Sequence, residues 1–424
     1  DSFGWPEWVR KLISSGVHGK RHETREEAKE GRCAYWAQWE SYCARHALRV
    51  PYDFEGKYQY PRRDAVTADA AFDKYVKSIE RPTFNERVGN HCIKLILELQ
   101  LKQMNGKRAR VLSKDEALSF MDLSKCNGWP MDSKYPNKKQ MIYSVDGKLV
   151  DDYWDALATD EPLLDLETLF LKKELRPPGK MARAVFCVST ANAIAGNRLG
   201  KMIIENLKNS WPEMLRGKGW SALGLPAGNG NWHRLKREFE GYDCYELDGS
   251  AYDTTHFPWF IDQLFYVHRA LLSDLSVEDE KRLHNYYLLK HCVSVIMPGG
   301  KVRFRFNGQP SGHALTTWWN CLKVAFDTCY GLCRQFGALL TLDQIMDICR
   351  CIQFGDDNLV GINPIYKFDI GIHINICQTE LGVIYTYSQK QPIVKLKFFN
   401  FGWILRKLRS GTELWAPFPD GTKL

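Results

Sequence analysis

Apolar positions at helical spacing run through residues 69–105, most clearly at Ile93, Leu95, Ile96, Leu97 and Leu99, and predict a core helix beginning near Cys92. The same pattern predicts helices around Lys201 to Leu207, over Pro258 to Leu272, and in one long stretch from residue 313 to about 333. Between them lie β-prone arms. Tyr245 and Leu247 read as a strand ending at Asp248, and VSVIMPGGKVRFRF reads as a hairpin broken by Pro298, Gly299 and Gly300. ICRCIQF and NLVGI flank Gly355, Asp356 and Asp357, which sets the acidic pair at a tight hairpin tip. Pro177, Pro178 and Gly179 force a turn between the extended arms of LETLFLKKELRPPGKMARAVFCV. Gly128 and Pro130 favour a bent loop over Ser124 to Lys139. The expected class is α+β.

A chain of 424 residues buries a large core and divides into two or three domains or subdomains. Hydrophobic residues at 44% and charged residues at 25% are those of a folded globular protein. A formal charge of +8 permits a nucleic-acid partner without identifying one. The 13 cysteines are scattered, without paired C-x2-C ligand sets, so reduced and packed thiols are expected. No apolar run approaches the roughly 20 residues that span a bilayer, and no secretory signal is visible. Asp1 in place of an initiator methionine fits a processing product or a trimmed chain.

Three acidic and polar runs carry the chemistry. LDGSAYD contains Asp248 and Asp253, PSGHALTTWWN contains Ser311, Gly312, Thr316 and Asn320, and QFGDDNLV contains the Gly355–Asp356–Asp357 triplet. Asp248 at a strand end and Asp356 at a neighbouring hairpin tip suit hard Mg2+, which takes one or two carboxylates plus phosphates, and Asp357 supports the second cation or the tip. Thr316 and Asn320, four apart on one helix face, point toward one small ligand, and with Ser311 they suit reading a ribose. Trp318 and Trp319 are expected to pack. Lys172, Lys173, Arg176, Lys180 and Arg183, against Glu174, place fixed cations where a triphosphate needs them, although a solvated hairpin also accounts for them. Lys125, Lys134, Lys138 and Lys139 face either a phosphate backbone or plain solvent. Residues 1 to 60 mix Trp5, Trp8, Trp36, Trp39 and Tyr42 with Lys20, Arg21, Arg25, Lys29 and Arg32, as an RNA contact or a solvated face would. The glycines at 217, 219, 224, 228 and 230 lack the G-x4-G-K-[ST] order of a P-loop.

With these runs in this order, the chain resembles the RNA-dependent RNA polymerases of positive-strand RNA viruses, in the picornavirus-like and potyvirus-like group. The resemblance covers about residues 124 to 416. Asp248 and Asp253 look like motif A; Ser311, Gly312, Thr316 and Asn320 like motif B; Gly355, Asp356 and Asp357 like motif C. LGVIYTYSQK resembles motif D, which implies Lys390 as the acid that protonates leaving pyrophosphate. FGWILRKLR resembles the primer-gripping motif E and, with the preceding basic stretch, implies RNA contacts at Lys395, Lys397 and Arg406. Lys172, Glu174, Arg176, Lys180 and Arg183 match motif F, and NGWP from Asn127 resembles the template-channel motif G, implying RNA contacts at Asn127 and Gly128 beside Lys125, Lys138 and Lys139.

The resemblance implies a right-hand fold: residues 1–240 mainly fingers with N-terminal fingertips, 241–275 palm, 276–300 a fingers/palm connection, 301–409 palm, and 410–424 the start of a reduced or truncated thumb. It implies templated RNA synthesis from nucleoside triphosphates with Mg2+, Mn2+ serving in vitro, and Asp253 accepting from a ribose 2′-hydroxyl. Template and product RNA and viral replication proteins are the implied partners, in a membrane-associated complex of the host cytoplasm. A reverse transcriptase shares the carboxylate logic, and a non-catalytic RNA-binding scaffold shares the basic hairpin and short C-terminus.

Overall fold

A computed structural model describes residues 29–30, 45, 59–76, 83–160, 166–174, 176–398, 401–408 and 410–419. The aromatic and basic N-terminal residues singled out above lie outside the described residues, apart from Lys29. In chain order the first strands are β1 (Lys29–Glu30), β2 (Gln59–Tyr60), β3 (Leu166–Leu171), β4 (Ala184–Cys187), β5 (Asp243–Gly249) and β6 (Val293–Ile296). They are followed by β7 (Val302–Arg305), β8 (Cys349–Phe354), β9 (Asp357–Ile362), β10 (Tyr385–Tyr387), β11 (Phe401–Lys407) and β12 (Glu413–Pro419).

The chain is a mixed α+β structure with two four-stranded sheets. One runs β4-β3-β6-β7, with β3 and β6 parallel and its other pairs antiparallel; the other runs β10-β5-β9-β8 and is antiparallel throughout. The first holds the basic hairpin between β3 and β4, and the second carries the acidic runs. Beyond β11 the chain turns back as β12, paired with it from Phe401↔Pro419 to Lys407↔Glu413, so most of 410–419 is strand.

The long helix anticipated at 313–333 spans Thr316–Phe336 and ends at Gly337 in a left-handed conformation. Every residue from Trp318 to Cys333 is buried, because the helix is sandwiched between the helices Glu86–Gln103 and Ile370–Leu381 and covered by β8. A helix enclosed on all sides has no polar face, so its few polar groups must find partners inside. Lys323 donates to Asp327 at 2.5 Å, and Asp327 also accepts from Tyr252 at 2.7 Å and Tyr385 at 3.0 Å. That carboxylate ties the long helix to the turn after β5 and to β10.

The pattern over 69–105 resolves into two helices, Ala65–Val76 and Glu86–Gln103, the second capped by Asn85 accepting from Val88 N at 3.1 Å. The helix foreseen around Lys201 is longer, Thr190–Asn209, and starts at Ser189, which accepts from Asn192 N. Among the described residues no helix is long and apolar enough to cross a membrane.

Candidate active site

Asp248 is the penultimate residue of β5, and Asp357 opens the adjacent strand β9. The register pairs Leu247 with Asn358, so Asp248 stands at the level of Asp357, with neighbouring strands about 4.8 Å apart. Gly355 and Asp356 form the two-residue connection between β8 and β9, closed by the Phe354↔Asp357 pair. Gly355 has φ +67, and a positive φ at the first central position is what a two-residue hairpin turn requires. Asp248 and Asp356 are exposed and Asp357 is half-buried, so the sheet delivers carboxylates to solvent at one end.

Asp253 sits in the turn after β5. Burial drives its carboxyl upward to about 6; the hydrogen bond from Asn320 opposes this, the nearby charge of Asp356 adds to it, and Arg183 and Arg305 pull against it. Residues of the β5 turn, the β8–β9 turn and the basic hairpin thus lie within electrostatic range of one another. Asn320 Nδ2 donates to Asp253 Oδ1 at 2.8 Å. Ser311 Oγ is buried without a protein partner among the described residues, a polar atom left for something else to satisfy.

Thr316 departs from the expectation. Its hydroxyl contacts the carbonyls of Pro310 at 2.7 Å and His313 at 3.0 Å and accepts from Gln309 Nε2 at 3.1 Å. Four-residue spacing put it on the Asn320 face, but at the first turn of the helix its hydroxyl is taken by the preceding loop. It therefore braces the 309–313 loop.

That loop is held from several sides. Gln309 N donates to Asp253 O at 2.7 Å and Gly308 N to His256 O at 2.8 Å. In fully buried Arg305, Nη2 donates to both oxygens of buried Glu167 at 3.0 and 2.9 Å and Nη1 to the carbonyls of Asn307 and Gly308 at 3.0 and 2.5 Å. Glu167 and Arg305 were not singled out in the sequence, where nothing marks two distant charges as partners. A Cβ on Gly312 would lie 2.1 Å from Phe186 O in β4. Gly312→Ala is therefore expected to push the Ser311 loop off β4 and to cost about 1–3 kcal/mol, read as a lowered urea midpoint.

The basic hairpin forms as anticipated, with Lys172 N donating to Arg183 O at 2.9 Å and Lys180 N closing the turn on Pro177 O. Glu174 lies within 3.0 Å of Lys172, 3.2 Å of Arg176 and 3.4 Å of Arg183. Burial would raise its carboxyl, but the hydrogen bond from Lys172 and the charges of Arg183 and Lys172 more than offset that and hold it below its ordinary value. One carboxylate thus gathers three cations, while Lys180 stands exposed at the tip.

Lys390 is not in this cluster. Its ammonium pairs with Asp243 at 3.0 Å, at the far end of β5 and five residues from Asp248, roughly 16 Å along a strand. Ser388 N on Glu246 O and Gln391 N on Cys244 O hold the chain there, so Lys390 reaches the carboxylates only if residues 388–391 leave this register.

Two residues of the 124–139 loop, expected to contact RNA, have internal partners in this structure. Asn127 is buried, donates to Tyr135 O at 2.9 Å and is approached by Thr190 Oγ1 at its own carbonyl, 2.9 Å, and amide oxygen, 3.2 Å. Gly128 is buried where a Cβ would meet Val188 O at 2.4 Å. Lys138 donates to Cys126 O, whereas Lys125, 3.4 Å from Asp122, and Lys139 are exposed. Lys395 and Lys397 are exposed just before β11, and Arg406 is exposed on it.

Among the described residues no three His, Cys, Asp or Glu side chains form a ready-made metal cluster. Two exposed carboxylates at one sheet end still fit Mg2+, which commonly completes its shell with substrate phosphates and water.

The family model described as viral RNA-dependent RNA polymerase matches residues 57–405. The chain is 28% identical over 221 residues to the genome polyprotein of Plum pox potyvirus, strain Rankovic, covering 52% of this chain and 7% of that polyprotein. It is 23% identical over 336 residues to that of strain El amar, covering 77% of this chain and 21% of the other. With the polyprotein of Peanut mottle virus, strain M, identity is 26% over 223 residues. The chain thus spans less than a tenth of the first of these polyproteins. Among solved structures, a Sicinivirus 3Dpol RNA-dependent RNA polymerase superposes with a TM-score of 0.67 at 16% identity, over 85% of this chain and 76% of that one, which establishes a shared fold.

Proposed function

The chain belongs to the viral RNA-dependent RNA polymerase family, matched over residues 57–405, and on that premise we propose that it extends an RNA 3′ end along an RNA template, using nucleoside triphosphates and releasing pyrophosphate. The observation that carries the reading is the meeting of Asp248 and the Asp356–Asp357 turn at one end of adjacent strands, beside the Asp253–Asn320 pair. The antiparallel sheet would be the palm and the basic hairpin and its sheet part of the fingers, with β11–β12 leading toward a thumb.

Asp248 and Asp356, with Asp357 supporting, would hold Mg2+, which when bound supplies Lewis acidity to the attacking hydroxyl and the triphosphate. The 3′-hydroxyl gives up its proton to solvent, its oxygen bonds the α-phosphorus, and the bond to pyrophosphate breaks. Arg176, Arg183 and Lys172, grouped by Glu174, orient and neutralise the phosphates, and Lys180 extends the cationic rim. Asp253, held by Asn320, accepts from the ribose 2′-hydroxyl, and Ser311 gains the partner it lacks. The acid role of Lys390 belongs to a conformation in which its pair with Asp243 is broken; the pair is solvent-exposed and screened, so it opposes that little. Exposed Lys125, Lys139, Lys395, Lys397 and Arg406 are the candidates for template and product phosphates. Viral replication proteins remain the partners the family reading suggests, in the host cytoplasm at membranes.

The test is extension of a labelled RNA primer on an RNA template with Mg2+ and rNTPs. Template-dependent growth is expected; RNA binding without growth would favour a scaffold, and equal use of dNTPs a reverse transcriptase. In the same assay Asp253→Ala is expected to lower the preference for rNTP over dNTP by about ten- to hundredfold, the worth of a charge-assisted hydrogen bond. An unchanged ratio removes Asp253 from sugar selection.

A further inference from the structure

The side chain of Asn320 stands between two groups. On one side its Nδ2 donates to Asp253 Oδ1 at 2.8 Å; on the other its Oδ1 lies 2.9 Å from Nε2 of His256, which is fully buried. An amide can be turned by exchanging its oxygen and nitrogen; at the Asp253 contact only the repulsion between two acceptor oxygens opposes that exchange, and a donor on the opposite side reinforces the one orientation. We propose that His256 is a positioning residue for sugar selection: its Nε2–H locks Asn320 in the one orientation that presents an N–H to Asp253. This inference rests on the polymerase reading above and adds a residue to it.

The chemistry around the ring supports the assignment. Of the two neutral tautomers only Nε2–H can donate to Asn320 Oδ1; the Nδ1–H form would face that oxygen with a lone pair. Nδ1 has no partner among the described residues, which leaves an unpaired acceptor in the first tautomer and would leave an unpaired donor in the second. Burial, followed by the charge of Lys323, pushes the imidazole down to about 3, against the Asn320 bond and with help from Arg305, so the ring carries one proton. The rings of Tyr252 and Phe260 meet it edge-on at 6.4 and 5.5 Å and fix its plane. Its backbone carbonyl accepts from Gly308 N at 2.8 Å, so the residue that orients Asn320 is also pinned to the loop leading to Ser311. His256 reaches no substrate; it acts through Asn320.

The discriminating experiment compares wild type, His256→Leu and His256→Gln for single-nucleotide incorporation of matched rNTP and dNTP. Leucine removes the donor at similar volume, and glutamine can place its amide N–H near the position of Nε2. The rNTP:dNTP ratio of kcat/KM is expected to fall about fivefold in His256→Leu, the worth of one neutral hydrogen bond, and to recover in His256→Gln. In an Asp253→Ala background the leucine change should alter the ratio no further, because the path to the sugar is already cut. An unchanged ratio in an active His256→Leu enzyme would overturn the proposal, as would equal losses in both variants, which point to packing alone. Wild-type protein that extends no primer defeats the polymerase reading itself, a separate outcome. Should the leucine variant not fold, long-range 1H–15N spectra of histidine-labelled wild type decide: Nε2–H at His256 supports the lock, and Nδ1–H sinks it.

Discussion

Asp356→Asn is expected to abolish templated extension, with a loss of roughly 10³-fold or more, while leaving RNA binding in place. The magnitude follows from the place of the residue. Asp356 sits at the exposed tip between β8 and β9, beside Asp248 on the neighbouring strand, where the proposed reaction would place a metal-bound triphosphate. Asparagine keeps the shape and removes the negative charge, so a hard cation loses its preferred ligand without a cavity being opened. Removing even one donor that stabilises developing charge in a water-poor site costs about 10²–10³ in rate, and a ligand to the divalent cation contributes at least as much. Primer extension under single-turnover conditions, with RNA affinity measured alongside, checks this. Asp248→Asn should behave alike; residual activity above a tenth of wild type in both would mean that the carboxylates are not where the chemistry happens.

Glu167→Ala should be the most destabilising single change among those considered, by about 3–5 kcal/mol, because it strands Arg305 as a buried charge. Both side chains are fully buried, and one guanidinium nitrogen of Arg305 reaches both oxygens of Glu167. The loss extends beyond stability, since the same guanidinium holds the carbonyls of Asn307 and Gly308, and the next amide, Gln309 N, grips Asp253 O. Urea unfolding measures the first effect. The double replacement Glu167→Met with Arg305→Met should recover much of the stability, since no charge is then left unpaired, yet leave the 307–309 loop without its anchor and incorporation impaired. A midpoint for Glu167→Ala within error of wild type would show that the pair is not the internal prop its burial indicates.

Legibility in the sequence follows how local each feature is. The helix Thr316–Phe336, the β8–β9 hairpin with Gly355 at its turn, and the proline-broken hairpin between β3 and β4 all announce themselves through spacing within a few residues. The carboxylates Asp248 and Asp356 are likewise marked by strand ends and turns. Thr316 shows the limit of such reasoning: helical spacing put it on the face of Asn320, but the loop before the helix competes for its hydroxyl. Asn127 and Gly128 show another, since a motif-like string gives no sign that its amide and its missing Cβ serve packing against Tyr135, Thr190 and Val188. Glu167, Arg305 and His256 went unread because their partners lie 138, 138 and 64 residues away.

By itself the sequence determined the element types, the three ordered acidic and polar runs and the cationic hairpin, because backbone propensity, turn chemistry and side-chain periodicity act over short distances. Only the tertiary structure decided that Lys390 pairs with Asp243 instead of approaching Asp248, that Glu174 gathers three cations, and that Asn320 is clasped between Asp253 and His256. A buried polar atom must be satisfied by whatever the fold brings to it, and that partner is set by strand register and helix packing across the chain, which no local pattern encodes.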